Sequence, residues 1–124
     1  MNLQSFFDKS AIRLDLATAS RDEVLKELIR LIDLDDKSAS ILYKNLKRRE
    51  AFASTGVGRG IAIPHCRSMA VTRLKIAYGR ARSGVEYRAI DGRPVQNFFL
   101  IVAPPNEVSN EYLPVLGKLA MFAR

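Results

Sequence analysis

The sequence is poor in the residues that build disulfide frameworks and metal sites. Its 124 residues include one cysteine, Cys66, and one histidine, His65. A single cysteine cannot pair within the chain, so a disulfide framework is excluded and a reducing cytoplasm fits best. One cysteine and one histidine also cannot complete a zinc coordination sphere. We therefore expect a cytoplasmic protein without a metal site.

Long apolar stretches are also missing. The N-terminal residues, MNLQSFFDKS, lack both the basic head and the apolar run of a secretory signal peptide. No apolar run approaches the ~20 residues that a membrane-spanning helix needs. The sequence therefore predicts no membrane insertion.

Negative charge is the scarcer sign. Lysine and arginine number 20 and aspartate and glutamate number 13, which gives a formal net charge of +7. Such an excess is compatible with binding to nucleic acid. However, the charges are spread along the chain, and the one tight cluster, LKRRE at 46–50, has no interleaved aromatic residues. We interpret the excess as a basic surface and expect no nucleic-acid partner.

The remaining composition suits one compact domain, because 48% of the residues are hydrophobic. Helical spacing predicts helices over 20–33, 36–54 and 109–123. Apolar runs predict a strand over 60–65 that ends at a proline, a half-buried strand over 74–82, and a central strand over 97–105. This order predicts an α/β or α+β fold with one sheet.

Finer features of the helices and turns are also predicted. Ser20 and Glu23 form a capping box at the start of the first helix. An Asp91-Gly92 turn interrupts the irregular stretch 85–95. The core face of the second helix is expected to contain Ile41, Leu42, Leu46 and Ala53.

The most informative stretch is GVGRGIAIPHCR at 56–67. Gly56, Gly58 and Gly60 allow the backbone to approach a ligand and to direct N–H groups at an anion. The stretch lacks the GK[ST] of a Walker loop, and a strand follows it where a dinucleotide fingerprint needs a helix. Three arginines whose guanidinium groups match phosphate oxygens are close in sequence: Arg49, Arg59 and Arg67. A lone histidine is more often structural, but this setting predicts that His65 handles phosphate.

The order and spacing of three segments resemble a known family. They are STGVGRGIAIPHCR at 54–67, AIDGRPVQNFFLIVAPP at 89–105 and LPVLGKLA at 113–120. The chain is similar to the IIA domains of the bacterial phosphoenolpyruvate-dependent sugar phosphotransferase system. The fructose/mannitol type, which includes the nitrogen-regulatory IIA protein, matches best. This resemblance implies a mixed β-sheet flanked by helices.

The resemblance also implies site residues and partners. His65 matches the histidine that accepts a phosphoryl group from the histidine-containing phosphocarrier protein. That histidine then passes the group to a IIB domain or holds it as a regulatory mark. Arg49 matches an arginine that the family places near the phosphate. The same signature contains four candidate supporting residues: Ser54, Thr55, Gly58 and Gly60. The implied chemistry is enzymatic phosphoryl transfer that needs no cofactor and no metal.

Three features depart from the family pattern. Tyr112 stands where many members carry a second histidine, and its hydroxyl either supports the phosphate or packs at the sheet end. Cys66 stands where the nitrogen-regulatory branch often has glycine; it is either a thiol activated by Arg67 or a small buried residue. The family usually continues beyond this length, so we expect 1–124 to be a single IIA-type domain lacking the C-terminal segment. An apolar groove exposed in that way would favour homo-oligomers.

The sequence leaves the use of the phosphohistidine open. One hypothesis is a phosphocarrier in a sugar uptake chain. Another is a regulatory protein whose phosphorylation state sets its binding to partner proteins. A third is a protein-binding module of the same fold that has lost efficient phosphotransfer, an idea that Tyr112 favours and that His65 and Arg49 oppose.

Overall fold

The structure, a computed structural model, describes residues 11–17 and 20–106. Within them lie two helices, α1 (Arg21–Arg30) and α2 (Asp36–Phe52). The strands are β1 (Ile12–Arg13), β2 (Gly56–Gly58), β3 (Ile61–Ala62), β4 (His65–Arg67), β5 (Lys75–Val85) and β6 (Val95–Ala103). They form one sheet in the order β1-β5-β6-β3-β2, and β4 also pairs with β6. The predicted helix over 109–123 lies outside the described residues.

Both helices begin at polar caps. The Ser20 side chain accepts a hydrogen bond from the backbone N–H of Glu23 at 3.3 Å, so the predicted cap of α1 is confirmed. Asp35 caps α2 in the same way, because its Oδ1 accepts from the Ser38 N–H at 2.7 Å. α1 buries its apolar stripe, which consists of Val24, Leu25, Leu28 and Ile29. Neither helix is long and apolar enough to cross a bilayer, and no other helix lies in the described ranges.

The core face of α2 differs in part from the prediction. Leu42 and Leu46 are buried as expected, whereas Ile41 is 39% exposed and Ala53 is exposed. The prediction for Ile41 and Ala53 is wrong because the buried stripe follows a spacing of four residues, and Ala53 lies beyond the last helical turn. The stripe continues instead to Glu50, whose side chain is buried.

The centre of the sheet is β6, as the continuous apolar run predicts. It pairs antiparallel with β5 and parallel with β3 and β4. Separate apolar clusters cover its two faces, and they are represented by Phe98, Leu100 and Val102 on one side and by Ile101 and Ala103 on the other. Strand β6 is therefore buried on both faces.

Strand β5 is buried more fully at its start than the predicted half-buried strand, whereas Tyr78, Arg80 and Arg82 keep the rest of one face partly exposed. Ile76 is buried on one face, and Ala77 and Gly79 are buried on the other. A Cβ atom at Gly79 would lie 2.8 Å from Leu16 and 3.0 Å from Leu28. The small residues of β5 therefore allow α1 to pack closely against it.

The strand predicted to end at Pro64 continues beyond it. Ile61 and His65 pair with Asn97 and Ile101 of β6, so β3 and β4 share one parallel register. Pro64 has no N–H to donate, but its carbonyl accepts a hydrogen bond from the Ile101 N–H at 3.0 Å. The proline removes one donor and leaves the strand direction intact. His65 accordingly begins β4 and does not follow the end of the strand.

Candidate functional site

The imidazole of His65 is fixed by its own strand. Its Nδ1 lies 2.6 Å from the carbonyl oxygen of Ile63, and the ring is half-buried. A carbonyl oxygen only accepts hydrogen bonds, so in the neutral imidazole Nδ1 carries the proton. The lone pair then lies on Nε2. This tautomer makes Nε2 the nucleophilic nitrogen of the ring.

The orientation of the Ile63 carbonyl follows from the ladder around Pro64. The Ile63 N–H donates to the Thr55 carbonyl at 3.0 Å, on the side of the strand away from β6. The N–H and C=O of one strand residue point to the same side, so the Ile63 carbonyl also faces outward. Among the described strands only β6 pairs with β4. The imidazole therefore folds back over an outer edge of the sheet.

Two contacts align α2 with this edge. The Ser68 hydroxyl donates to Asn45 Oδ1 at 2.7 Å, which ties the residue after β4 to the middle of α2. Thr55, just beyond the end of α2, accepts from the N–H of Ile63. The helix thus runs antiparallel to residues 63–68, and its last turns lie beside β4.

Arg49 belongs to that last part of α2. Its side chain is half-buried, and Nη1 donates to the Ala53 carbonyl at 2.9 Å. A guanidinium has five N–H donors, so this contact uses one of them. The neighbouring Arg48 is exposed. The structure brings helix α2 into contact with β4 and gives the Arg49 guanidinium a contact at the helix C-terminus, and a role for Arg49 beside the phosphate stays a prediction.

The two candidate hydroxyls make internal contacts. Ser54 Oγ donates to the Tyr87 carbonyl at 3.0 Å and accepts from the Gly56 N–H at 3.1 Å. The Thr55 hydroxyl is buried and donates to the carboxylate of Glu50. These contacts hold the segment between α2 and β2. A direct role for Ser54 or Thr55 in supporting a phosphate stays a prediction.

Glu50 is the polar residue near the site that the sequence reasoning missed. Its side chain is 4% exposed, and its carboxylate accepts hydrogen bonds from Thr55 and Tyr87. Burial and the charge of Glu50 raise the pKa of Tyr87, so the phenol remains a donor. The available signal was the position of Glu50, four residues after Leu46 on the apolar stripe of α2.

The glycine-rich turn donates a hydrogen bond to an exposed carboxylate of the chain itself. Gly58 and Gly60 have φ angles of +98° and +75°, which favour glycine. The Arg59 N–H donates to Asp91 Oδ2 at 3.0 Å, and the Arg93 N–H donates to Asp91 Oδ1 at 3.1 Å. These hydrogen bonds, that of Arg59 first, hold the pKa of the Asp91 carboxyl below its usual value.

The same turn lies away from the histidine. The Gly60 carbonyl accepts from the N–H groups of Gln96 and Asn97, whereas His65 pairs with Ile101. At about 3.3 Å per residue, the four residues from 97 to 101 separate the two levels by about 13 Å. The structure therefore does not bring Gly58 and Gly60 beside His65.

The residues that follow His65 face two directions. Cys66 packs against the main core, and burial raises the pKa of its thiol to about 12. This supports the interpretation of Cys66 as a small buried residue. Arg67 is exposed, and its Nη1 donates to the Pro104 carbonyl at 3.3 Å.

Tyr112 lies outside the described residues, so its predicted role is not tested. Residues 11–17 and 20–106 contain no group of three or more potential metal ligands.

Comparison with known proteins decides the family. Residues 5–124 match the family described as phosphoenolpyruvate-dependent sugar phosphotransferase system, EIIA 2. The chain belongs to this family. It is 34% identical to the fructose-specific EIIABC component of Bacillus subtilis, over 97% of this chain and 19% of that protein. It is also 34% identical to the nitrogen regulatory protein of Pseudomonas aeruginosa, over 82% of this chain and 66% of that protein. The chain thus spans a fifth to two thirds of these relatives.

Solved structures agree on the fold of this EIIA domain. The nitrogen regulatory protein IIA-Ntr from Neisseria meningitidis has a TM-score of 0.86 and 34% identity, over 97% of this chain and 83% of that one. IIA mannitol from Escherichia coli has a TM-score of 0.73 at 17% identity, over 93% of this chain and 81% of that one, and shows the fold alone. The predicted mixed sheet with flanking helices is confirmed as the fold of the mannitol and nitrogen-regulatory IIA proteins.

Proposed function

We propose that this EIIA domain is a phosphocarrier in which Nε2 of His65 accepts a phosphoryl group from the histidine-containing phosphocarrier protein. The observation that carries the proposal is the 2.6 Å contact between His65 Nδ1 and the Ile63 carbonyl, because it leaves the lone pair on Nε2. Membership of the EIIA 2 family supports the same chemistry. A cytoplasmic location is part of this proposal.

The transfer step needs alignment and charge stabilisation more than acid–base chemistry. The Nε2 lone pair attacks the phosphorus of the phosphohistidine on the carrier and forms a new N–P bond. The N–P bond of the carrier breaks, and its electron pair returns to the carrier's imidazole. The proton on Nδ1 stays in its hydrogen bond to Ile63, which stabilises positive charge on the phosphorylated ring. Arg49, on the helix that contacts β4, supplies positive charge for the equatorial oxygens.

The downstream acceptor is a IIB domain or a regulated partner. A solved complex of enzyme IIAMTL with phosphorylated enzyme IIBMTL from Escherichia coli shares this fold, with a TM-score of 0.70 over 93% of this chain and 79% of that one at 16% identity. That pairing motivates a IIB domain as the acceptor. Transfer to it reverses the roles in the first step, with Nε2 of His65 as the leaving group.

The test starts from phosphoenolpyruvate, the first enzyme of the system and the phosphocarrier protein. We expect an acid-labile mass increase of one phosphoryl group on wild type and none on His65→Ala. Phosphorus NMR then distinguishes the two ring nitrogens and should assign the group to Nε2. A stable modification elsewhere, phosphorylation at Nδ1, or an unmodified wild-type chain would contradict the proposal.

A regulatory use of the same phosphohistidine is the second candidate. It is favoured by the 34% identity to IIA-Ntr from Neisseria meningitidis over 97% of this chain. Mixing the phosphorylated domain with a IIB domain separates the two uses. Rapid loss of the phosphoryl group supports sugar uptake, and retention together with altered binding of partner proteins supports regulation. A chain that binds such partners without ever accepting a phosphoryl group would be the non-transferring binding module.

A further inference from the structure

A buried carboxylate, that of Glu50, lies against Thr55 at the end of α2. Glu50 Oε2 accepts from the Thr55 N–H at 3.0 Å, and Oε1 accepts from the Thr55 hydroxyl and from the Tyr87 hydroxyl, the latter at 2.7 Å. Three donors thus converge on one side chain that is 4% exposed. An ionised carboxylate is an acceptor at both oxygens, so it suits this arrangement. The described residues place no Lys or Arg within ion-pair distance of Glu50.

An unbroken series of hydrogen bonds joins this carboxylate to the histidine. Glu50 holds both the N–H and the hydroxyl of Thr55. The Thr55 carbonyl accepts from the Ile63 N–H at 3.0 Å. The Ile63 carbonyl in turn accepts a hydrogen bond from Nδ1–H of His65 at 2.6 Å. Each contact orients the backbone group that makes the next one.

We propose that Glu50 is a positioning residue for His65, acting through Thr55 and Ile63 to hold the imidazole as its Nδ1–H tautomer. Pro64 makes this support necessary, because the strand lacks one donor to β6 beside the histidine. The consequence for phosphoryl transfer rests on the proposed function, whereas the consequence for the tautomer does not.

Glu50→Gln is the sharpest single change, since it keeps the volume and removes one acceptor. An amide has one oxygen and one NH₂ group, and the NH₂ group cannot accept from a donor. If the NH₂ group faces the Thr55 N–H, two donors oppose each other. If it faces the Thr55 and Tyr87 hydroxyls, these must accept instead of donate, and the Thr55 N–H keeps only a neutral, weaker acceptor. Thr55→Val removes only the hydroxyl contact and is the milder variant. Tyr87→Phe removes a donor to the same carboxylate without touching the series that leads to His65, so it is the matched control.

The first measurement is the tautomer of His65 in the unphosphorylated protein. His65 is the only histidine in the chain, so its imidazole nitrogens give one unambiguous set of signals in a proton–nitrogen correlation spectrum. We expect wild type and Tyr87→Phe to show mainly the Nδ1–H form. Glu50→Gln should lower the ratio of Nδ1–H to Nε2–H by about tenfold, the effect of losing roughly one hydrogen bond. Thr55→Val should change it in the same direction by less.

The second measurement is single-turnover phosphoryl acceptance. Glu50→Gln should slow acceptance in proportion to the fall in the Nδ1–H fraction of His65, and Tyr87→Phe should accept the phosphoryl group at the wild-type rate.

A folded Glu50→Gln with the wild-type tautomer ratio would overturn the inference. If Glu50→Gln does not fold, an unchanged ratio in Thr55→Val would overturn it instead. Equal changes in Tyr87→Phe would also do so, because they would indicate general loosening of the core. If wild type accepts no phosphoryl group, the proposed function fails while the tautomer comparison still decides the role of Glu50.

Discussion

The two ends of β3 contrast with each other: glycines precede the strand, and a proline and a histidine follow it. At the hairpin end, positive φ angles at Gly58, Arg59 and Gly60 bring a backbone N–H onto the Asp91 carboxylate. The acceptor at that turn is thus the carboxylate of Asp91, which belongs to the chain itself. At the other end, just before Pro64, the outward carbonyl of Ile63 accepts a hydrogen bond from Nδ1 of His65. The glycine-rich segment therefore binds a carboxylate of the chain itself, and the proposed phosphoryl acceptor lies at the opposite end of β3.

The largest effect in this comparison should come from His65→Ala. We expect complete loss of phosphoryl acceptance with little loss of stability, because the side chain is half-buried and is held by a local contact within its own strand. Intact mass after incubation with the phosphorylated carrier measures acceptance, and circular dichroism measures folding. Phosphoryl uptake by the variant would exclude His65 as the acceptor, and an unfolded variant would indicate a structural histidine.

The next effect separates two adjacent arginines. Arg49→Ala should slow transfer by about tenfold to a thousandfold, the range for losing one preorganised charge donor. Arg48→Ala is the matched control and should have little effect, because Arg48 is exposed. Single-turnover rates at one pH and salt concentration provide the comparison. Equal slowing by both variants would indicate a general electrostatic patch.

A change at the hairpin end should affect stability without affecting the chemistry. A Cβ atom at Gly56 would lie 2.8 Å from Ala89, including its backbone, so Gly56→Ala should cost about 1–3 kcal/mol. Gly92→Ala is a control in the adjoining turn: it meets no atom within 4 Å and introduces only the strain of a φ angle of +70°. Urea unfolding gives both free energies. A folded Gly56→Ala that accepts phosphate much more slowly than wild type would contradict the separation of the two ends.

The Asp91 carboxylate predicts a small dependence of stability on pH. Its pKa in the folded protein lies below the ordinary 3.8, so its contribution is present above 3.8 and is lost as the pH falls through the folded pKa. Asp91→Asn should therefore be less stable than wild type at pH 7, and the difference should vanish in acid. Urea unfolding across this range measures it. A difference that persists below the folded pKa would show that the contribution does not come from ionisation.

The smallest effect is expected at Cys66. Because burial raises the pKa of its thiol to about 12, little thiolate forms near neutral pH. Alkylation of the native protein between about pH 7 and 9 should be far slower than alkylation of the unfolded chain. Arg67→Ala should not change the rate at which the native protein is alkylated, since the Arg67 guanidinium contacts the Pro104 carbonyl and is not needed to activate the thiol. Rapid native alkylation that depends on Arg67 would restore the interpretation of an activated thiol.

Much of the fold was predictable because local and periodic signals agree. The Ser20 cap, the apolar stripe of α1 and the apolar run of β6 all appear as the sequence predicts. The short β1 and β2 were not predicted, since two or three residues carry too little pattern. Strand β5 was misjudged because Ala77 and Gly79 look like surface positions until a helix packs against them.

The candidate site was predictable only in part. His65 and Arg49 follow from the family resemblance, and the structure aligns α2, which contains Arg49, with the segment that contains His65. Glu50 did not follow, because a glutamate beside a basic cluster looks like part of a solvated helix face. Its burial depends on Thr55 and Tyr87, and Tyr87 lies 37 residues further along the chain.

The sequence by itself determined the helices, the central strand and the presence of one histidine behind a proline. These depend on side-chain periodicity, capping and the missing N–H of proline, all of which are local. Only the tertiary structure decided that the glycine turn donates to Asp91, that Glu50 is buried, and that the Ile63 N–H pairs with the Thr55 carbonyl. Those outcomes depend on which distant donors and acceptors meet when the sheet forms, and no short stretch of sequence contains that information.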